Sequence, residues 1–159
     1  MKFLLAPWRW DFISSADKKR GCVFCKVSKK VTPESLICYL GKEVFVILNK
    51  YPYNSGHLMV VPYAHMDSPE KLSIEISKEM WGLMNKAVGI LKRNFNPDGF
   101  NVGMNIGGSA GAGVRGHIHL HIVPRWNGDS NFMGVLAGTK VVSYDIIKIH
   151  EIIKNEFNK

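Results

Sequence analysis

The sequence predicts an α+β fold in which an antiparallel sheet is flanked by helices. Residues 100–106 and 116–124 alternate apolar with polar or small side chains, which is typical of two strands joined in a hairpin. Two further segments, about 73–95 and about 145–157, carry apolar residues at spacings of three and four, the period of an α-helix. At 159 residues the chain is expected to form a single domain, residues 1–159.

The other predicted elements lie upstream of the long helix. Residues 43–48 are rich in β-branched and aromatic side chains, and residues 57–61 form a second apolar run. The segment 49–56 between them is rich in turn residues, so we expect two strands joined by a loop. The long helix is expected to bury its methionines and Trp81, and it should end at the Asn-Pro-Asp-Gly sequence of 96–99.

The composition is typical of an ordinary globular protein with a net positive charge. Hydrophobic residues make up 46% and charged residues 21% of the chain, and the formal net charge is +8. A positive field favours an anionic partner, but it does not choose among nucleotide, nucleic acid and membrane surface. The apolar opening is interrupted at Pro7, and no membrane-spanning segment is predicted. We therefore expect a cytoplasmic protein that acts without a membrane or nucleic-acid partner.

The three cysteines do not suggest a disulfide framework. Cys22 and Cys25 form a C-x-x-C pair, whereas Cys38 lies alone in an apolar run. An odd count in a cytoplasmic protein argues against structural disulfides. From the spacing alone, the pair could be a redox dithiol, half of a metal site or two buried thiols. Cys38 is interpreted as a small core residue.

Three histidines alternate along the second strand of the predicted hairpin. Period two places His117, His119 and His121 on one face, and each ring needs hydrogen-bond partners. Leaving one buried ring unsatisfied would cost about 1–3 kcal/mol, so a purely structural row is disfavoured. Two chemical uses remain open at this point. All three could bind one metal ion, or one could be a nucleophile that the others position.

The glycine-rich loop before these histidines bears on that choice. Glycines at 107–113 allow backbone N–H groups to approach a ligand and form an anion-binding concavity, although clustered glycine is equally typical of a flexible hairpin tip. A histidine that attacked a phosphorus atom held there would form a nucleotidyl-histidine and expel the remaining phosphate chain. Water or inorganic phosphate would then resolve the intermediate.

These motifs together resemble the histidine triad (HIT) family. The sequence H-I-H-L-H-I-V-P-R at 117–125 resembles the family signature, residues 48–62 with His65 resemble its upstream motif, and 105–113 resemble its phosphate loop. The motif-bearing region covers 7–134, and its C-x-x-C pair and flanks resemble the branch of diadenosine tetraphosphate phosphorylases and HIT-like hydrolases. The resemblance implies an enzyme that hydrolyses or phosphorolyses dinucleoside polyphosphates or adenylylated compounds.

The resemblance also implies residue roles. The middle histidine, His119, corresponds to the nucleophile, and His121 corresponds to a phosphate contact. In the implied nucleotide site, Asn49 contacts the ribose, and Phe24, Val27 and Ile47 contact the base. The phosphates are contacted by Asn105 and by the backbone N–H groups near Gly113 and Val114. A structural zinc ion is implied as well, held by Cys22, Cys25, His65 and His117, and the family usually forms homodimers.

Two features keep alternatives open. The glutamine followed by serine or threonine that many family members carry before the triad is replaced here by the run 112–116, so Ser109 or Arg115 would have to assist the leaving group. The competing hypothesis is a catalytically inactive nucleotide- or RNA-binding zinc protein of the same fold.

His57 is expected to be a buried, hydrogen-bonded histidine, and His150 is expected at the surface.

Overall fold

The computed structural model describes residues 21–129 and 145–159. Residues 7–20 and 130–134 of the motif-bearing region therefore lie outside the described residues. Two short 3₁₀ helices, Pro33–Ser35 and Pro69–Lys71, accompany the main elements. These are α1 (Val23–Lys29), β1 (Ile37–Leu40), β2 (Val44–Leu48), β3 (Leu58–Pro62), α2 (Ile74–Phe95), β4 (Gly99–Gly103), β5 (Leu120–Arg125) and α3 (Ile146–Phe157).

The five strands form one sheet in the order β1-β2-β3-β5-β4, and every neighbouring pair is antiparallel. The predicted α+β fold is confirmed. β5 lies between β3 and β4, so His121 pairs with Met59 on one side and with Gly103 on the other. The central position of β5 places the histidine-bearing segment well inside the molecule.

Both predicted helices form with polar N-caps. The Ser73 side chain accepts from the Ile76 N–H at the start of α2, and Asp145 accepts from two backbone N–H groups at the start of α3. α2 ends at Asn96, which adopts a left-handed conformation with φ 44°. The predicted bounds, about 73–95 and about 145–157, are thus confirmed to within a residue.

Apolar clusters cover both faces of the sheet because the side chains of each strand alternate. In β2, Val44, Val46 and Leu48 contribute to the cluster with α2 and α3, whereas Phe45 and Ile47 face the other way. The cluster on that second face is formed by Phe24 of α1 with residues of β1, β2 and β3, namely Ile37, Phe45, Ile47, Met59 and Val61. We call this second group the α1-face cluster.

Three expectations from the sequence differ from the structure. β5 begins only at Leu120, because the His117 N–H donates to the carbonyl of Val114 and the Ile118 N–H to that of Met66, which directs both groups away from the sheet. The expectation that Trp81 is core was wrong, since it is 54% exposed on α2. His150 is 8% exposed and donates from Nε2 to the Ile37 carbonyl at 2.9 Å, so the surface expectation was wrong too.

Among the described residues, no helix combines the length and the hydrophobicity needed to cross a membrane.

Candidate functional site

Three histidine rings lie in contact on the side of the sheet that carries α1. We call His57, His119 and His121 the histidine row. The ring centroids of His119 and His121 are 4.6 Å apart and those of His57 and His121 are 5.1 Å apart. All three residues are buried, with 0%, 5% and 9% of their surface exposed for His57, His119 and His121. Such rings require defined partners, and these partners fix which ring nitrogens carry protons.

Hydrogen bonds at the His57 end of the row determine two tautomers. The Tyr53 N–H donates to His57 Nδ1 at 3.0 Å, and the amide nitrogen of Asn49 lies 3.3 Å from the same atom. His57 Nδ1 is therefore the acceptor, so Nε2 carries the proton and donates to His121 Nδ1 at 2.9 Å. His121 then carries its own proton on Nε2, where it is a donor suited to a phosphate oxygen.

His119 has the opposite arrangement. Its Nδ1 donates to the carbonyl oxygen of His117 at 2.8 Å, so Nε2 keeps the lone pair. A neutral imidazole whose Nε2 is unprotonated is a nucleophile, because that nitrogen can form a bond without first losing a proton. The structure thus gives His119 and His121 complementary nitrogens, one nucleophilic and one a hydrogen-bond donor.

Burial keeps His57 and His119 uncharged near neutral pH. The pKa of His57 is lowered to about 3, mainly by burial and further by the neighbouring His121 and His119. Burial also lowers the pKa of His119, although its hydrogen bond to the His117 carbonyl opposes the shift. The neutral tautomers assigned to these two rings are therefore the forms present at pH 7.

A second group of four side chains adjoins the histidine row. We call Cys22, Cys25, His65 and His117 the metal cluster, since one ligand atom from each lies within 4.8 Å of all the others. His117 Nδ1 is 3.3 Å from His65 Nδ1 and 3.2 Å from Cys22 Sγ. Cys25 Sγ is 3.3 Å from His65 Nδ1 and 3.6 Å from His117 Nδ1. His119 and His121 are not members of this cluster.

These separations fit a tetrahedral metal ion. With metal–sulfur bonds of about 2.3 Å and metal–nitrogen bonds of about 2.0–2.1 Å, tetrahedral angles put two nitrogens about 3.3 Å apart and a sulfur about 3.6 Å from a nitrogen. His117 Nε2 donates to the Pro62 carbonyl at 2.8 Å, so the lone pair lies on Nδ1, within the cluster. Two thiolates and two imidazoles form a closed donor set of the kind that suits a structural zinc site.

Phe24 connects the metal cluster with the histidine row. It lies on α1 between the two cysteines, and its ring centroid is 5.4 Å from that of His117 and 5.0 Å from that of His119. Phe24 and Ile47, both expected to contact a base, belong to the α1-face cluster, and Val27 and Val114 pack against it. The structure therefore groups the three side chains expected to contact the base, Phe24, Val27 and Ile47, in one apolar cluster, and Phe24 of that cluster contacts His119.

The glycine-rich loop takes a compact form. Gly107 and Gly111 have φ values of +78° and +84°, which explains glycine at both positions. The Gly111 N–H donates to the Gly108 carbonyl and the Ala112 N–H to that of Gly107. Asn105 is half-buried at the start of this loop, and Gly113 and Val114 lead from it to His117. The loop thus leads directly into the segment that carries His117, His119 and His121.

Several contacts were not foreseen from the sequence. Asn49 was expected to contact ribose, yet its amide also reaches His57, and its Oδ1 accepts from the Tyr51 N–H at 2.9 Å. Tyr53 stacks on His57 with centroids 4.8 Å apart. In the sequence, the only signal for these contacts is His57 itself, a histidine at the start of an apolar run. Its hydrogen-bond partner His121 lies 64 residues away, so local patterns do not reveal the pair.

Comparison with known proteins agrees with this geometry. A HIT domain model matches residues 29–128. The chain is 40% identical over 147 residues to the AP-4-A phosphorylase of Mycobacterium tuberculosis, covering 87% of this chain and 75% of that protein. It is 32% identical over 139 residues to an uncharacterised HIT-like protein of Saccharolobus solfataricus, covering 84% of this chain and 99% of that protein.

A solved structure shows the same fold with metal bound. The zinc-bound histidine triad family protein of Mycobacterium smegmatis superposes with a TM-score of 0.69 at 26% identity, covering 87% of this chain and 94% of that one. The fold, the three alternating histidines and the matched domain model therefore agree, and the chain belongs to the HIT domain family.

Proposed function

We propose that this protein cleaves a phosphoanhydride bond in dinucleoside polyphosphates or adenylylated compounds through a nucleotidyl-histidine on His119. The hydrogen bond from His119 Nδ1 to the His117 carbonyl supports this proposal most strongly, because it leaves Nε2 unprotonated for attack. The AP-4-A phosphorylase relative makes diadenosine tetraphosphate the substrate to test first.

The chemistry divides among the residues described above. The base packs against Phe24, Val27 and Ile47, which places the α-phosphate near the histidine row. His119 Nε2 attacks phosphorus as the bond to the bridging oxygen breaks, and the departing polyphosphate takes that electron pair. His121 Nε2–H donates to a non-bridging oxygen and stabilises the developing charge. Water or inorganic phosphate then attacks the nucleotidyl-histidine and frees His119.

The metal cluster has a structural role in this proposal. Zinc bound by Cys22, Cys25, His65 and His117 would cross-link the start of α1 to the segments that carry His65 and His117. This arrangement keeps Phe24 against His119. A zinc ion with four protein ligands has no open position for water, so the proposed chemistry does not use the metal.

The edge of the sheet supports a homodimer. β4 lies at the end of the strand order, and the exposed fractions are 40% for Val102 in this strand and 49% for Ile106 just after it. An edge strand with exposed apolar side chains is a surface suited to pairing with a second copy. Sedimentation should give twice the chain mass of 17.9 kDa. A single-chain mass across micromolar concentrations would contradict the homodimer.

Replacing the nucleophile tests the function. His119→Ala should lower kcat for diadenosine tetraphosphate by about 10³-fold or more, the scale on which nucleophile removal acts in other enzymes. His150→Gln is the matched control, since an amide retains a donor for the Ile37 carbonyl outside the site, and its turnover should equal that of the wild type. Unchanged turnover in folded His119→Ala would refute the mechanism and favour the nucleotide-binding hypothesis.

The acceptor is a separate question. Product analysis with and without inorganic phosphate should distinguish AMP, the product of hydrolysis, from ADP, the product of phosphorolysis. Formation of ADP only when phosphate is present would identify a phosphorylase.

A further inference from the structure

The side chain of Arg115 folds back over the glycine-rich loop. Arg115 lies in a turn closed by the His117 N–H donating to the Val114 carbonyl at 3.4 Å. A Cβ atom built on Gly108 would lie only 3.0 Å from Arg115 Nε and 3.2 Å from its Cζ. The guanidinium therefore packs against the backbone of Gly108, where the absence of a side chain makes room for it.

This position places a permanent positive charge among the groups proposed to bind a nucleotide. The preceding residue, Val114, packs on the α1-face cluster. Two residues after Arg115 comes His117, whose carbonyl orients His119. A guanidinium forms paired hydrogen bonds with phosphate oxygens, and the loop beneath it is rich in glycine, which lets a phosphate chain approach the backbone.

The reaction needs such a charge. When the bridging P–O bond breaks, its electron pair remains on the terminal oxygen of the departing polyphosphate. Within residues 104–116, Arg115 is the only residue with a charged or titratable side chain. Arginine does not give up its proton in proteins, so it stabilises the new charge by hydrogen bonding and electrostatic attraction rather than by proton transfer.

We propose that Arg115 binds the departing polyphosphate, so that the protein favours substrates whose leaving group carries phosphates. The inference rests on the proposed function, because it concerns the second product of the same reaction. It adds a leaving-group specificity residue to a site in which Phe24 and its neighbours hold the base. Arg115 contacts the part of the substrate that distinguishes a polyphosphate from other adenylylated compounds.

Two substrates with the same adenylyl group separate this role from general binding. Diadenosine tetraphosphate expels ATP, whereas the nitrophenyl ester of AMP expels nitrophenolate, which carries no phosphate. Arg115→Ala should lower kcat/KM for diadenosine tetraphosphate about 10- to 100-fold, the effect of losing a hydrogen bond to a charged group. It should leave kcat/KM for the nitrophenyl ester unchanged, and Arg115→Lys should recover part of the loss.

Two further variants control for charge and for geometry. Arg93→Ala removes a guanidinium whose side chain is 65% exposed and 3.4 Å from Glu156, and both substrates should be turned over as by the wild type. Gly108→Ala puts a methyl group against the Arg115 guanidinium, so it should lower turnover of diadenosine tetraphosphate alone. In the Arg115→Ala background, Gly108→Ala should have no further effect.

The outcomes distinguish the two levels of the proposal. An equal loss with both substrates in Arg115→Ala, or no loss with either, overturns the role of Arg115 while His119-dependent turnover stands. Turnover of both substrates that survives His119→Ala overturns the proposed function itself.

Discussion

His117 and His119 are two residues apart in the chain, yet they belong to regions with different chemistry. In the metal cluster, His117 donates from Nε2 to the Pro62 carbonyl, which leaves Nδ1 facing the cysteines. In the histidine row, His119 donates from Nδ1 to the His117 carbonyl, which leaves Nε2 with the lone pair. The carbonyl that each ring meets decides which nitrogen carries the proton, and hence which nitrogen is free to face the cysteines in His117 or to attack a substrate in His119.

The two regions are also physically connected. His117 contributes its ring to the metal cluster and its carbonyl to His119, and Phe24 contacts both rings. We therefore expect substitutions in the metal cluster to lower stability, and to lower turnover only by displacing the residues of the histidine row. Substitutions in the histidine row should lower turnover directly.

The largest effect should come from removing the zinc ion that we propose the metal cluster binds. A ligand present at 1,000 times its Kd adds about 4 kcal/mol to the free energy of unfolding, or about 10 °C in Tm for a domain of this size. Chelation, or Cys25→Ser, should lower Tm by about that amount, and calorimetry measures it. Molecules that remain folded at low temperature should keep measurable turnover. Immediate loss of turnover with the fold intact would indicate a catalytic metal and remove the distinction between the two regions.

A smaller effect should follow from protonating the histidine row. The pKa of His57 is lowered to about 3 by burial, so the unfolded chain binds this proton more tightly and stability falls as the pH falls below about 6.5. Between pH 7 and pH 5 this amounts to about 2 kcal/mol.

His57→Gln isolates that contribution, because its amide can still donate to His121 Nδ1 but does not titrate in this range. Urea unfolding at both pH values should show the wild type losing about 2 kcal/mol more than the variant. Equal losses would show that His57 is not buried as a neutral ring.

The smallest expected effect tests the connection through Phe24. Phe24→Leu keeps an apolar side chain but removes the aromatic contacts with His117 and His119, each worth about 0.5–1.5 kcal/mol. Zinc affinity and kcat should both fall severalfold, as measured by competition with a chelator and by steady-state kinetics. Phe45→Leu is the matched control, since Phe45 lies in the same cluster but packs on Tyr63, and it should change neither quantity. A fall in only one quantity would mean that Phe24 does not couple the regions.

Local patterns predicted most of the fold. The period and caps of α2 and α3 are encoded within a few residues, so their bounds were predicted to within a residue. Trp81 was misplaced because a helical period identifies an apolar face but not how far the neighbouring layer extends. The start of β5 was missed because the backbone of Ile118 bonds to Met66, a contact between distant segments that alternation does not reveal.

The candidate site was only partly predictable for the same reason. Alternation placed His117, His119 and His121 near one another, but it did not show that the first joins the cysteines and the last joins His57. Those partners lie 95 and 64 residues away in the chain. The ring tautomers depend on the backbone groups of Tyr53, His117 and Pro62, whose positions only the folded chain supplies.

The proposed reaction requires a covalent bond between His119 Nε2 and phosphorus. The most direct measurement is acid-free quenching of the zinc-loaded protein during turnover of diadenosine tetraphosphate, followed by peptide mass spectrometry. We expect an adenylyl group on His119. It should be absent from His119→Ala and should remain on His119 when Arg115→Ala turns over the nitrophenyl ester of AMP. An adduct on His121 or His57, or none in a protein that is turning over substrate, would contradict it.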